Sequence, residues 1–397
     1  MSTTASREWL FRCLLVLLSV GFILGVLEVT LRLLVDRYRC DDRLGWTYRP
    51  GKRVLVFNWT GEFVHFVRFN REGLRDDREP PGGPDAGAFR IVVLGDSFSA
   101  GLQVPSGKSF SALLQARLQT VAAPDRRIEV WNAAVDGFGT VQELRMFVDR
   151  VARYRPDLVM LGLFLANDLG DNVPDGGSRN HYLATRCGRP YVALDSNGIL
   201  VETRVSEPAH HLRVSLDRLL RHSELYANLV PSPDGVPGTF ADWDVFTGKN
   251  ADRVNAALAL TRALVRELDR HVRASGGRLT VVLMPHEREA RVGTEPPSSA
   301  IDFERAHALA EAFLRETEIP YIDLYPALRS VVAKGEHPYL NRDMHWNGRG
   351  HQIVTEVIQR WLVDHCRDLS LPVVGCPRSL RPTSRVSHEH RHSARAA

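Results

Sequence analysis

Ser97, at the end of Arg90-Ile-Val-Val-Leu-Gly-Asp-Ser-Phe-Ser-Ala-Gly101, and the late pair Asp343-Met344-His345 are the residues whose types could do chemistry together. A serine hydroxyl is a weak nucleophile at neutral pH unless an imidazole takes its proton. The imidazole in turn needs a carboxylate to fix its tautomer and stabilise its charged form. His345 and Asp343 can supply both groups. Residues two apart share a side in extended backbone but not on a helix, so this pair must precede a helix, and Asn347-Gly348 suits a helix start just after it. Negative charge developing on a substrate oxygen also needs fixed donors, each worth about two to three orders of magnitude in rate. The candidates are the backbone N–H groups of Ser97 and Gly137 and the side-chain amide of Asn167, with Gly139 as the alternative glycine. Against this stands a plain reading, in which Ser97 only caps the helix that follows it.

These residues need elements that bring them to one place. Ile91 to Leu94 fits a strand covered on both faces, and Gly95 allows the bend that lifts Asp96 and Ser97 out of it. Ile128 to Trp131 reads as a second strand leading into Asn132-Ala-Ala-Val-Asp-Gly-Phe-Gly139. Asp157 to Phe164 reads as a third, ending in Leu165-Ala-Asn-Asp168. Helices are expected from Ser109 to Leu118, from a capping box at Thr140-Val-Gln-Glu143, from Ala251 to Ser275, near Phe303 to Thr317, and over Ile353 to Leu362. With strands at Leu279 to Met284 and Tyr321 to Leu324, the rhythm predicts an α/β, doubly wound (flavodoxin-like) parallel sheet with helices on both faces. In such sheets ligands bind at the carboxyl ends of the strands, where Ser97, Gly137 and Asn167 fall.

The remainder of the chain sets the context. The uncharged run Cys13 to Leu27, extended by its flanks, predicts one N-terminal transmembrane helix and an anchor over 1–39, with a cleaved signal peptide as the rival reading. A hairpin lead-in follows over 40–89, with strands at Arg53–Phe57 and Glu62–Phe69. The catalytic domain is expected over 90–376, with a Gly-, Pro- and Asn-rich insertion at 172–250 containing a helix around His211 to Leu229. The tail, 377–397, is expected to be disordered. Its five arginines against Glu389 account for the whole net charge of +4, so the body is near neutral and no nucleic-acid partner is expected. Cys40, Cys187, Cys366 and Cys376 could form two bridges outside a reducing compartment, Cys366 with Cys376 being the favoured pair, while Cys13 lies in the apolar segment. Gly101 to Ser109 nearly matches a nucleotide phosphate loop, but it has one residue too many and starts past the strand end. A metal site from His337, Asp343, His345 and His351 is the weaker use of those residues, so neither metal nor cofactor is expected.

Taken together, Gly95-Asp96-Ser97, Asn132 to Gly139, Asn167-Asp168 and Asp343-Met344-His345 resemble the four blocks of the SGNH, or GDSL, esterases and acyltransferases. The resemblance runs from about Phe89 to His365. It implies Ser97 as nucleophile, His345 as general base, Asp343 as its orienting acid, and an oxyanion hole from Ser97, Gly137 and Asn167. Asp96 is then a loop hydrogen-bonding group. Two features depart from the family pattern: Asp-x-His in place of Asp-x-x-His, and Leu165 where Gly commonly stands two places before the asparagine. The first is similar to membrane-associated polysaccharide O-acetyltransferases of the same superfamily. The implied partners are a small-molecule or carbohydrate ester, the membrane through the N-terminal helix, and a membrane acyl-donor protein if the reaction is transfer. Arginines flanking the span would by count place the domain inside. Resemblance to bacterial membrane-anchored members places it outside the cytoplasm, as a single-pass protein.

Overall fold

A computed structural model describes residues 3–80, 87–174, 181–203, 220, 223, 226, 244–294 and 301–376. Helix α1 (Thr3–Leu34) comes first, and its Arg7–Leu34 portion is long and apolar enough to cross a membrane. Lys52 Nζ donates to the carbonyls of Arg32 and Asp36, so the end of α1 is held by the segment that follows it. That segment contains two antiparallel hairpins, β1 (Tyr38–Asp41) with β2 (Gly45–Tyr48) and β3 (Arg53–Phe57) with β4 (Val64–Arg68). The second was expected. The first begins inside the stretch assigned to the anchor, because the Tyr38, Trp46 and Tyr48 side chains turn into the core and start the strand early.

The central sheet is built from β5 (Ala88–Leu94), β6 (Arg127–Asn132), β7 (Leu158–Leu163), β10 (Arg278–Leu283) and β11 (Tyr321–Asp323), in the order β6-β5-β7-β10-β11. Every pairing is parallel. The strand order is that of flavodoxin-like sheets, with its reversal between β5 and β7. All residues of β5 and β7 are buried, which is why β7 and the Ile91–Leu94 part of β5 read as continuous apolar runs with no alternation.

Short α2 (Ser97–Ala100) follows β5, and α3 (Phe110–Val121) runs to β6. From β6 the chain passes through α4 (Thr140–Met146) to β7, and from β7 into α5 (Leu165–Asp171). The capping box at Thr140 is displaced by one residue. Gly139 is the N-cap, its N–H is accepted by Gln142 Oε1, and Thr140 Oγ1 instead accepts from Asn172 Nδ2. The described part of the insertion comprises α6 (His181–Cys187), the hairpin β8 (Tyr191–Leu194) with β9 (Leu200–Thr203), and α7 (Asp244–Thr247). Val192, Leu194 and Leu200 of that hairpin pack against Val141, Leu260 and Leu264. The helix expected around His211 to Leu229 and the tail 377–397 lie outside the described residues, apart from three positions of the former.

Helix α8 (Ala251–Ala274) buries Val254, Leu258, Thr261, Leu264, Val265, Leu268 and Val272 on one face, as its spacing required. Each such leucine or valine removed from water contributes about 1.5–3 kcal/mol. After β10 come α9 (Glu287–Ala290) and α10 (Phe303–Thr317); after β11 come α11 (Tyr325–Ala333), α12 (Gly348–Asp364) and α13 (Cys366–Leu369). Helices α3 and α12 pack on each other, and α4 packs on α8. Disulfides join Cys40 to Cys187 and Cys366 to Cys376. The first ties β1 to the insertion, and the second closes the end of the domain.

Candidate active site

The site forms where β5 and β7 end, at the reversal of strand order. Gly95 takes φ 145°, and a Cβ there would lie 2.2 Å from Ser99 Oγ, so only glycine admits this bend. Asp96 then caps α2, its Oδ1 accepting from Phe98 N–H at 2.9 Å. The cap is therefore Asp96, and Ser97 is the first helical residue with its side chain directed elsewhere. Its Oγ lies 2.7 Å from His345 Nε2.

His345 sits just ahead of α12, where Asn347 Oδ1 caps the helix by accepting from Arg349 and Gly350 N–H at 2.9 and 3.1 Å. The ring Nδ1 of His345 is hydrogen-bonded to Asp343 Oδ1, which also accepts the His345 backbone N–H at 3.0 Å. Upstream, Glu62 at the tip of the β3–β4 hairpin accepts from Asn341 N–H at 2.6 Å and Arg342 N–H at 3.1 Å, holding the loop that carries Asp343. Phe98 lies against the His345 ring, centroids 4.8 Å apart, and Trp346 packs edge-on to Phe98.

At the end of β7, Asp168 Oδ2 accepts from Phe164 N–H at 2.7 Å and fixes the start of α5. Asn167 Nδ2 donates to Asp96 Oδ2 at 3.1 Å, so Asp96 links the serine and asparagine loops. Among the described residues the second amide hydrogen of Asn167 has no acceptor. Gly137 has φ 70°, and its N–H makes no hydrogen bond among the described residues. Gly139 differs, since its N–H is occupied by Gln142 and a Cβ there would meet Asp171 at 2.8 Å. Of the two glycines left open by the sequence, Gly137 is the one with a donor to offer.

Electrostatics follow from burial and neighbours. Burial pulls the His345 imidazole toward neutrality, but the Asp343 hydrogen bond and charge, helped by Asp96 and Asp136, outweigh it and hold the ring above the ordinary histidine value. Burial pushes the Asp96 carboxyl up to about 6, against the opposing pull of His345. Burial, together with the charges of Arg75 and His345, takes His351 down to about 3; its Nδ1 accepts from Phe110 N–H, a packing role. Glu143 is fully buried with both carboxylate oxygens lacking a hydrogen bond, and its pKa lies well above the usual range through burial and the charges of Asp96 and Asp171.

Among the described residues, the group whose ligand atoms converge closely enough for a metal is His307, Glu311 and Asp323, all partly buried. His337, Asp343, His345 and His351 do not form one. His307 Nε2 already meets Asp323 Oδ2 at 2.9 Å, and Glu311 accepts from Arg315, so each of the three side chains already has a protein partner. Three contributors had no local signal in the sequence: Glu62, and Trp46 and Arg189, which touch the Asp136–Gly137 segment. Their partners are distant in the chain, and no spacing rule links them.

A parallel α/β sheet that places a serine, a histidine and an aspartate in one hydrogen-bonded line at its strand reversal defines a class of proteins suited to acyl chemistry. Residues 93–353 match the GDSL-like lipase/acylhydrolase family, and the chain belongs to that family. Similar solved structures include TesA, 13% identical, with 70% of this chain and 99% of that one covered and a TM-score of 0.38. Axe2, an acetylxylan esterase from Geobacillus stearothermophilus, is 13% identical over 68% of this chain and 93% of its own, with a TM-score of 0.38. The lipase/acylhydrolase from Enterococcus faecalis is 15% identical, with 69% and 95% covered and a TM-score of 0.39. No curated protein matches the chain.

Proposed function

We propose that the protein is a serine ester hydrolase working through an acyl-serine intermediate. The observation that carries this reading is the line from Ser97 Oγ through His345 to Asp343, with 2.7 Å between the hydroxyl and the imidazole. Ser97 attacks the ester carbonyl while His345 Nε2 takes its proton, and Asp343 stabilises the imidazolium. The carbonyl oxygen becomes an oxyanion held by the N–H groups of Ser97 and Gly137 and the Asn167 amide. His345 returns the proton to the leaving alcohol. Water then attacks the acyl-serine with His345 again as base, releasing the acid and restoring the serine.

The Asp343-x-His345 spacing favours a second reading, in which a sugar hydroxyl replaces water and the reaction is O-acetyl transfer. Helix α1 supports attachment to a membrane, and two disulfides support a catalytic domain outside the reducing cytosol. The test is hydrolysis of p-nitrophenyl acetate by the full chain in detergent, followed by mass spectrometry of candidate glycans incubated with an acyl donor. Hydrolysis abolished in Ser97→Ala, with no acylated glycan, is expected. Equal hydrolysis by wild type and Ser97→Ala would refute the assignment, and acylated glycan would establish transfer.

A further inference from the structure

The direction of the Gly137 N–H is set by groups outside the central sheet. Val135-Asp136-Gly137-Phe138 is a tight turn closed by Phe138 N–H to Val135 O at 3.1 Å. Gly137 alone among these residues has a positive φ, 70°, which makes the turn type II. Types I and II differ by a flip of the central peptide, here Asp136–Gly137. Which way the Gly137 N–H points therefore depends on what holds that peptide.

Trp46 Nε1–H, on β2, donates to Asp136 O at 3.0 Å. The peptide is planar and trans, so its carbonyl and N–H point in opposite directions. A carbonyl held toward Trp46 leaves the Gly137 N–H aimed away from it. The next peptide is held by Arg189, whose Nη2 donates to Gly137 O at 2.9 Å. The other end of that guanidinium, Nη1, donates to Asp171 O at 3.1 Å and pairs with Asp171 Oδ1 at 3.0 Å. The guanidinium also lies over the Trp46 ring, 5.0 Å from its centre. Both side chains are buried. The Cys40–Cys187 bridge, two residues before Arg189, fastens it to the hairpin that carries Trp46. Tyr38 and Tyr48 hydroxyls donate to the two Asp136 carboxylate oxygens at 2.8 and 2.9 Å, and Tyr48 accepts the Asp136 N–H.

We propose that Trp46 and Arg189 are positioning residues that hold the peptide units on either side of Gly137 so that its N–H faces the acyl oxygen of the substrate. This rests on the reading of Gly137 as an oxyanion donor. Neither side chain touches the reacting atoms. Because the donor matters more to a tetrahedral oxyanion than to a planar ester, their loss lowers kcat and leaves KM nearly unchanged.

The test uses the full chain in detergent with Trp46→Phe, which keeps an aromatic ring and removes the N–H. Ester hydrolysis and inhibition by a trifluoromethyl ketone, which forms a tetrahedral adduct with a catalytic serine, are measured together. The expected result is a kcat lower by about 10- to 100-fold, KM within about twofold, and ketone affinity weakened by the same factor as kcat. The acid limb of the pH profile, which reports His345, stays in place. Arg189→Lys, which keeps the charge beside Asp171 but loses the forked reach to Gly137 O, shows the same pattern. If Trp46→Phe does not fold, benzothienylalanine at position 46 keeps the shape and removes only the donor. A folded variant with kcat and ketone affinity within about twofold of wild type would overturn the proposal, as would a kcat loss with unchanged ketone affinity. Hydrolysis surviving in Ser97→Ala would instead bring down the underlying reading, whatever Trp46 does.

Discussion

Replacing Asp343 by asparagine separates the charge of its carboxylate from its geometry. Asp343 Oδ1 accepts both the His345 backbone N–H and the ring Nδ1 hydrogen bond. The asparagine carbonyl can accept both, so the imidazole keeps the tautomer in which Nε2 faces Ser97. What disappears is a negative charge beside the imidazolium formed in the transition state. A unit charge about 4 Å away at an effective dielectric of about 20 is worth about 4 kcal/mol. That is about three orders of magnitude in kcat. Asp343→Ala, which also removes the acceptor of both N–H groups, falls by at least as much. The assay is kcat and kcat/KM against pH with a chromogenic ester. His345 must be neutral to act as base, and in the native protein Asp343, with Asp96 and Asp136, holds its pKa above the ordinary value despite burial. The acid limb of the native profile therefore lies at higher pH than that of an unperturbed histidine, and Asp343→Asn moves it down. An Asp343→Asn protein that keeps more than about a tenth of its kcat, with the acid limb unmoved, would refute the reasoning.

Two further perturbations act on the scaffold. Gly95→Ala places a Cβ 2.2 Å from Ser99 Oγ at φ 145° and is expected to cost ~2–6 kcal/mol in denaturant unfolding, whereas Gly107→Ala, with nothing within 4 Å, stays near wild type. Glu143→Gln removes a buried carboxyl whose folded pKa is raised by burial and by Asp96 and Asp171. A raised carboxyl pKa makes stability fall as pH climbs from the ordinary carboxylate range toward the folded value, so the gain in Tm from Glu143→Gln is larger at pH 8 than at pH 5. An equal gain at both would show that Glu143 does not ionise in that range.

The sheet was legible because β5 and β7 are buried on both faces and β5 and β6 run into glycine and asparagine, and the chemical groups were legible because they fall at strand ends or, for Asp343 and His345, just before a capped helix. Ser97, Asn167, Asp343 and His345 could be named from type and position, and the structure brings Ser97, Asp343 and His345 into one line. Spacing could not choose between Gly137 and Gly139, since the choice depends on which N–H is taken by another residue. The cap at Gly139 in place of Thr140 is a shift of one residue, decided by Thr140 turning toward Asn172. The parts that were not legible are long-range: Glu62 holding the loop before Asp343, and Trp46 and Arg189 gripping the turn at Gly137. Each is an ordinary residue in its local sequence. Only the folded chain gives it a partner. The β1–β2 hairpin was hidden for a related reason, because its strands are four residues each and their side chains are buried by distant partners, as Tyr38 and Tyr48 are by Asp136.

Ser97 is proposed as a nucleophile activated by His345. Reaction of the full chain with a fluorophosphonate, followed by mass spectrometry of the digested protein, tests it without knowledge of the substrate. One adduct, on Ser97, is expected in the native protein, none in Ser97→Ala, and greatly slowed labelling in His345→Ala. A native protein that stays unlabelled, or an adduct that persists in Ser97→Ala, would contradict it.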